Sequence, residues 1–237
     1  AVLTAADLIK NFIFQRLLEE GTDVQSAYDK HWKMFESSFW EEEVSYGRVN
    51  YQRSSLFINH WLVTKTGEDV LAREVFSRFK SYADFESKKS MLELLEQICN
   101  SAGVYASIYA LGYEHERDLD RTALFAYRLK VLGLDVVRPL FLYLVDPDEG
   151  QIPQAELDKC FELIESWLVR RMLTRVTSKR YNKTIPEIIS KVREDRVHAA
   201  TVLENYFKSQ QVNTAYWPDD NEVRKEITGL EFYGKIY

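Results

Sequence analysis

Turn-forming residues are scarce in this chain. Nine glycines and five prolines among 237 residues are about half of the ordinary share of ~12 % for the two together. Sandwiches, barrels and dinucleotide-binding folds consume both residues in their turns, so this composition argues against them. Cysteine is also rare. Cys99 and Cys160 each sit in an apolar helical pattern and read as buried thiols of a reducing compartment rather than as a disulfide. The four histidines, His31, His60, His115 and His198, are too scattered for a zinc motif. No apolar run approaches the roughly 18 residues of a membrane span, and no charged segment followed by an apolar one opens the chain. A cytoplasmic location without a membrane partner is the expectation. Missing too are the glycine-rich phosphate loops, a His-Glu-x-x-His or Cys-x-x-Cys pair, and a Gly-x-Ser-x-Gly elbow. The residues offer no recognisable catalytic centre, metal set or cofactor loop.

What is present is ordinary for a globular protein: 46 % hydrophobic residues, 29 % charged, and a net charge of −6. Thirteen Phe, fourteen Tyr and five Trp supply large apolar area per residue. Their spacing is helical. Thr4 followed by Asp7 and then Leu8, Ile9, Phe12, Ile13 and Leu17 predicts a capped amphipathic helix ending at Gly21. Asp23 offers the next N-cap, for a helix carrying Tyr28, Trp32, Phe35 and Phe39 up to the acidic run at Glu41. Tyr46-Gly47-Arg48 reads as a loop. Further helices are predicted up to Gly67, from Glu68 to Tyr82, from about Glu86 with a break near Gly103, from Asp118 to Gly133, and from Val137 to Val145. Beyond the Asp146–Gly150 loop come Pro153–Val176, Asn182–Arg193, Arg196–Ser209 and a short helix after Trp217-Pro218-Asp219-Asp220. The expected fold is an irregular all-α domain of about ten helices with no strand pair. It is a single domain over 1–237, with a weak subdivision near 146–150.

Two polar groupings stand out. Ser166–Pro186 holds Arg170, Arg171, Arg175, Lys179, Arg180 and Lys183 without one Asp or Glu. Such segregation makes a local field that holds phosphate despite the global negative sign. On a continuous helix Arg171 and Arg175 share a face. The competing reading is that these cations pair with Glu162, Glu165, Glu187 or other acids of the fold. The second grouping is Asp7, Lys10 and Asn11 on the first helix, a support for a phosphate or metal on a neighbouring domain, or simply N-cap support and a solvated face. Glu41-Glu42-Glu43 and Asp118/Asp120 read as solvated helix ends. His115, in Glu114-His115-Glu116-Arg117, is a surface histidine or a poised base.

The opening stretch Leu3-Thr-Ala-Ala-Asp-Leu-Ile-Lys-Asn-Phe-Ile-Phe14 resembles a motif in the ParB-like S component of the GmrSD-type, modification-dependent restriction endonucleases. Arg138-Pro-Leu-Phe141, Leu168-Val-Arg-Arg171, Trp217-Pro-Asp-Asp220 and Phe232-Tyr233-Gly234 are similar, in order, to later segments of that component. In that family an Asn…Arg-Gly…Leu loop precedes the first helix. Only Val2-Leu3 of it stands here, so the resemblance implies a piece of a longer chain. It also implies an upstream Asp-Gly-Gln-Gln-Arg motif tied to nucleotide hydrolysis and a downstream HNH-like nuclease site, neither of which lies in these residues. A nucleoside triphosphate and Mg2+ would then belong to the parent protein, with no cofactor in this piece. Asp7, Lys10, Asn11, Arg170 and Arg171 match positions that the family tends to keep, as interface or support residues. The function so implied is a helical, non-catalytic segment of a defence nuclease, partnered by its flanking domains and by DNA. An interaction scaffold with no nucleic-acid role is the alternative.

Overall fold

The computed structural model describes residues 3–47, 49–114, 118–210 and 215–229. His115, Arg48, Val2 and the Phe232–Gly234 segment lie outside the described residues. Twelve α-helices and one two-stranded hairpin make up the described chain, so the class is mostly α, as the shortage of turn residues predicts.

Helix α1 (Ala5–Glu19) starts where the side chains dictate. Thr4 Oγ1 accepts from the Asp7 amide at 3.2 Å, and Asp7 Oδ2 accepts from the Thr4 amide at 2.8 Å. This reciprocal box occupies two donors that a helix start leaves open. Ile9, Ile13 and Leu17 are fully buried. The helix stops at Gly21, whose φ of +72° lets the Thr22 amide reach back to the Leu17 carbonyl at 2.9 Å. Gly133 ends α7 (Arg121–Val131) in the same way, at φ +65° with the Leu134 amide on the Leu129 carbonyl.

The middle of the molecule is a pair of helices buried on almost every side. They are α4 (Arg53–Thr66) and α8 (Arg138–Val145). Around them pack α1, α5 (Val75–Ser81), α6 (Met91–Leu111) and α10 (Tyr181–Glu194). At the other end α9 (Gln154–Leu173) lies on α7 and α11 (Ala199–Ser209). Phe125, Phe141 and Phe161 join α7, α8 and α9 through ring centroids 4.5–5.4 Å apart, a geometry that adds about 0.5–1.5 kcal/mol per pair to area burial. One buried apolar cluster runs from Ala6 to Phe207.

The Asp146–Gly150 loop is held from several sides. Asp146 is buried and accepts from Ser101 of α6. Glu149 pairs with Lys65 of α4, and Arg196 donates to the Gly150 carbonyl at 3.0 Å. These bonds pack the loop against α4 and α6.

Several expectations need correction. The stretch after Asp23 is not one helix. It runs as α2 (Val24–Ala27), a π turn (Tyr28–Trp32), a 3-10 turn (Lys33–Glu36) and α3 (Ser38–Glu41), because Ser37 is extended and restarts the chain. The loop at Gly47 turns out to close a hairpin of β1 (Glu43–Tyr46) and β2 (Val49–Gln52), antiparallel with Val44 opposite Tyr51. Strands of four residues are too short to signal themselves by alternation. Residues 68–71 are not helical, and the helix placed there begins at Val75. Helix α6 passes straight through Gly103. It begins at Met91, where Ser90 and Glu93 form a second capping box.

His60 sits in the core at 1 % exposure, against the Tyr46 ring of the hairpin at 5.3 Å and 3.4 Å from the Tyr105 hydroxyl. Burial, aided by the Arg138 charge, pushes its pKa down to about 3. The unfolded chain takes up a proton near the ordinary pKa of about 6.5 that the folded chain refuses. Stability from this group is therefore present above that range and lost as the pH falls towards 3. Urea unfolding at pH 6, 5 and 4 should show a slope from this group approaching ~1.4 kcal/mol per pH unit. His60→Phe should flatten it, and an unchanged slope in that variant would contradict the account.

Gly67, which ends α4 at φ +68°, faces α10 so closely that a Cβ there would lie 2.2 Å from Ser190 Oγ. Gly21 has a similar φ with nothing near. Gly21→Ala should therefore cost about 1–2 kcal/mol from backbone conformation alone, and Gly67→Ala measurably more. Equal losses in thermal unfolding would mean that the close approach carries no energy.

Candidate functional site

The basic segment lies at the end of α9 and the start of α10, and the fold divides its six cations in two. Arg171 points inward and is fully buried. Its Nε donates to the Tyr181 hydroxyl at 3.0 Å, Nη1 to the Tyr216 carbonyl at 3.1 Å, and Nη2 to the Thr177 carbonyl at 2.9 Å. The guanidinium also lies 5.3 Å from the Trp167 ring. One side chain thereby ties α9 to the following loop, to α10 and to the segment before α12 (Asp220–Gly229). Arg170 bonds Ser166 Oγ at 3.1 Å, the Pro218 carbonyl at 3.0 Å and Asp220 at 2.6 Å, holding the Asp220 carboxyl below its usual pKa. Pairing with an acid of the fold thus applies to Arg170, though the acid is Asp220. Glu165 is taken by Arg121 and Arg128, Glu162 by Lys159, and Glu187 by the Tyr206 hydroxyl. Arg171 is thus enclosed by the fold and its donors are committed within it.

The other four remain outside. Arg175, Lys179, Arg180 and Lys183 are exposed, and among the described residues none forms an ion pair. Arg171 and Arg175 do not share a helix face. Helix α9 ends at Leu173, and Arg175 adopts φ +54°. The Val176 amide then bonds the Arg171 carbonyl at 2.9 Å, and the Arg175 amide that of Met172 at 3.1 Å. This is the same terminator as at Gly21 and Gly133, with arginine in the place that glycine fills at no steric cost. Arg180 precedes the first turn of α10 and has no side-chain cap. Amides at that start are already bonded within the chain, Tyr181 to the Ser178 carbonyl at 3.0 Å and both Lys183 and Thr184 to the Arg180 carbonyl at 2.9 Å. Asn182 beside it is held by Asp69 at 2.6 Å.

The first-helix trio is dispersed. Asp7 is used in the capping box. Lys10 pairs with Glu36 at 2.9 Å and lies 4.9 Å from the Tyr28 ring, and Asn11 is exposed.

A second constellation escaped the sequence. Between α6, α7 and α8 lies a cavity of about 220 Å3 lined by Tyr109, Tyr113, Lys130, Asp135 and Arg138 over an apolar floor. A neighbouring one of about 260 Å3, beside the hairpin, shares Tyr109, Asp135 and Arg138 and adds Arg53, Glu42 and Tyr105. Arg53 is 1 % exposed, donates to Glu42 at 2.7 Å and Tyr109 at 3.1 Å, and stacks on the Phe39 and Tyr109 rings at 4.1 and 4.3 Å. Arg138 bonds Asp135 and lies 4.9 Å from the Tyr109 ring. Arg53 stands at i relative to Phe57 and Trp61 at i+4 and i+8, so an arginine on an apolar stripe was the available signal.

Among the described residues neither thiol is poised as a thiolate. Burial pushes both thiols up to about 12, and no three His, Cys, Asp or Glu side chains are grouped to hold a metal. Comparison with family models, curated proteins and solved structures yields no match for this chain.

Removing Arg171 leaves two carbonyls and a hydroxyl short of a buried donor. Arg171→Met should cost about 3 kcal/mol or more in urea unfolding. Arg175→Gly relieves the left-handed conformation and should stabilise by about 1 kcal/mol.

Proposed function

We propose that this chain is a helical, non-catalytic module that grips nucleic-acid phosphate through Arg175, Lys179, Arg180 and Lys183. The observation that carries the reading is the division of the basic segment. Two arginines are consumed by the fold, while four cations stand exposed around the start of α10 with no acid paired to them among the described residues. Unpaired cations grouped on a net acidic protein repel one another, and a polyanion relieves that repulsion by releasing its own counterions. The conformation of Arg175 is consistent with this, because backbone held in sparsely populated regions clusters at functional sites, though Lys88 adopts it too. The resemblance to the GmrSD-type S component supplies the frame. In that frame the module joins a nucleotide-hydrolysing part to a nuclease part, and nucleoside triphosphate and Mg2+ are handled outside these residues.

Fluorescence anisotropy with duplex DNA across a salt series tests this. Reversing all four cations to Glu should abolish most of the affinity. Single reversals should each lower the slope of log K against log salt by about 0.9 per lost phosphate contact. Reversal of Lys30 and Lys33, on a distant exposed face, serves as control. DNA binding that is absent, or unchanged in the fourfold variant, overturns the proposal and favours a scaffold whose basic strip meets an acidic protein.

A further inference from the structure

We infer that the cleft between α6, α7 and α8 is a binding site for a small aromatic anion, one planar ring bearing a carboxylate or a phosphate. The cleft is built in three parts. Its floor is apolar: Ile108, Ala126, Leu129, Leu134 and Phe141. Its wall is the Tyr109–Tyr113 pair, ring centroids 5.7 Å apart and tilted by 36°. Its cationic end is Arg138 and Lys130.

Size selects the ring. A closed apolar cavity of about 150 Å3 takes up benzene, so about 220 Å3 accommodates one ring with a compact substituent. Charge selects the substituent. Arg53 in the adjoining space is answered by Glu42. Arg138 gives a single Nη to Asp135, which leaves guanidinium donors uncommitted. Lys130, exposed and over the Tyr113 ring, is in no ion pair among the described residues. The excess at this end is therefore positive. The geometry is also fixed in advance, since the Arg138 guanidinium lies against Tyr105 at 5.7 Å and Tyr109 at 4.9 Å. A cation already immobilised loses little freedom when an anion arrives. An aliphatic anion leaves the tyrosine wall unused, and a neutral ring leaves the cations unused.

The site is independent of the DNA-contacting segment, and its test reads separately. Isothermal titration of the whole chain is run with benzoate and phenyl phosphate, and with two half-probes, benzyl alcohol and inorganic phosphate. At least one aromatic anion should bind saturably, and each half-probe about tenfold more weakly or not at all, the loss expected for one charge-assisted contact or one stacked ring. Lys130→Gln and Tyr113→Ala alter exposed side chains, so both variants should melt as the parent does. Each should weaken binding about tenfold. The inference is overturned if neither anion binds at millimolar concentration, if benzyl alcohol binds as tightly as benzoate, or if both variants bind undiminished. The preferred anion, carboxylate or phosphate, names the substituent.

Discussion

Guanidinium groups bonded to helix-end carbonyls hold this molecule together. An irregular helical fold packs many short helices at odd angles, so several of their C-termini end inside the protein. Each such end carries carbonyls without an intrahelical partner. Here arginines from elsewhere in the chain supply the donors. Arg53 reaches the Phe39 carbonyl in α3, Arg193 reaches Thr64 in the last turn of α4, and Arg196 reaches Tyr143 and Leu144 at the end of α8. Arg171 supplies donors to two loop carbonyls, Thr177 before α10 and Tyr216 before α12. Arginine suits this task because its five donors lie in a rigid fork and its charge meets the negative end of the helix dipole.

That use of arginine shapes the surface as much as the interior. A count of cations along residues 166–186 overstates what a ligand meets, since the two nearest α9 are spent on the fold. The four that remain are grouped by the turn that Arg175 makes. A glycine at that place gives the same turn with less strain and one charge fewer. The strain and the charge are thus found together, in the segment that joins α9 to α10.

The hairpin has a related origin. Its base is closed by the Arg53 amide on the Glu42 carbonyl at 2.9 Å, and by the Arg53–Glu42 ion pair. The residue that opens the central helix therefore also fixes the one stretch of sheet. Tyr46 at the tip end of β1 covers His60, and burial with the charges of Asp135 and Asp69 raises its hydroxyl to about 12. Asp69 is the residue that Asn182 bonds. The hairpin, the aromatic cleft and the start of α10 accordingly meet on one side of the central helix pair.

The helical class, the capping box at Thr4 and Asp7, and the stops at Gly21, Gly67 and Gly133 were legible in the sequence. All depend on interactions within a few residues, and local chemistry decides them. The breaks between Tyr28 and Ser37 and the four-residue strands were not legible, because the aromatic spacing there fits a helix equally well. Nor was the division of the basic segment. Arg170, Arg171 and Arg175 are chemically alike, and their side chains are long enough to reach partners 45 to 50 residues away. The same holds for the cleft, whose residues come from Tyr109, Lys130 and Arg138 on three helices. The sequence determined the helical class and the stops that glycine makes. Only the tertiary structure decided which cations face water, because burial of a long charged side chain depends on what other segments bring to meet it.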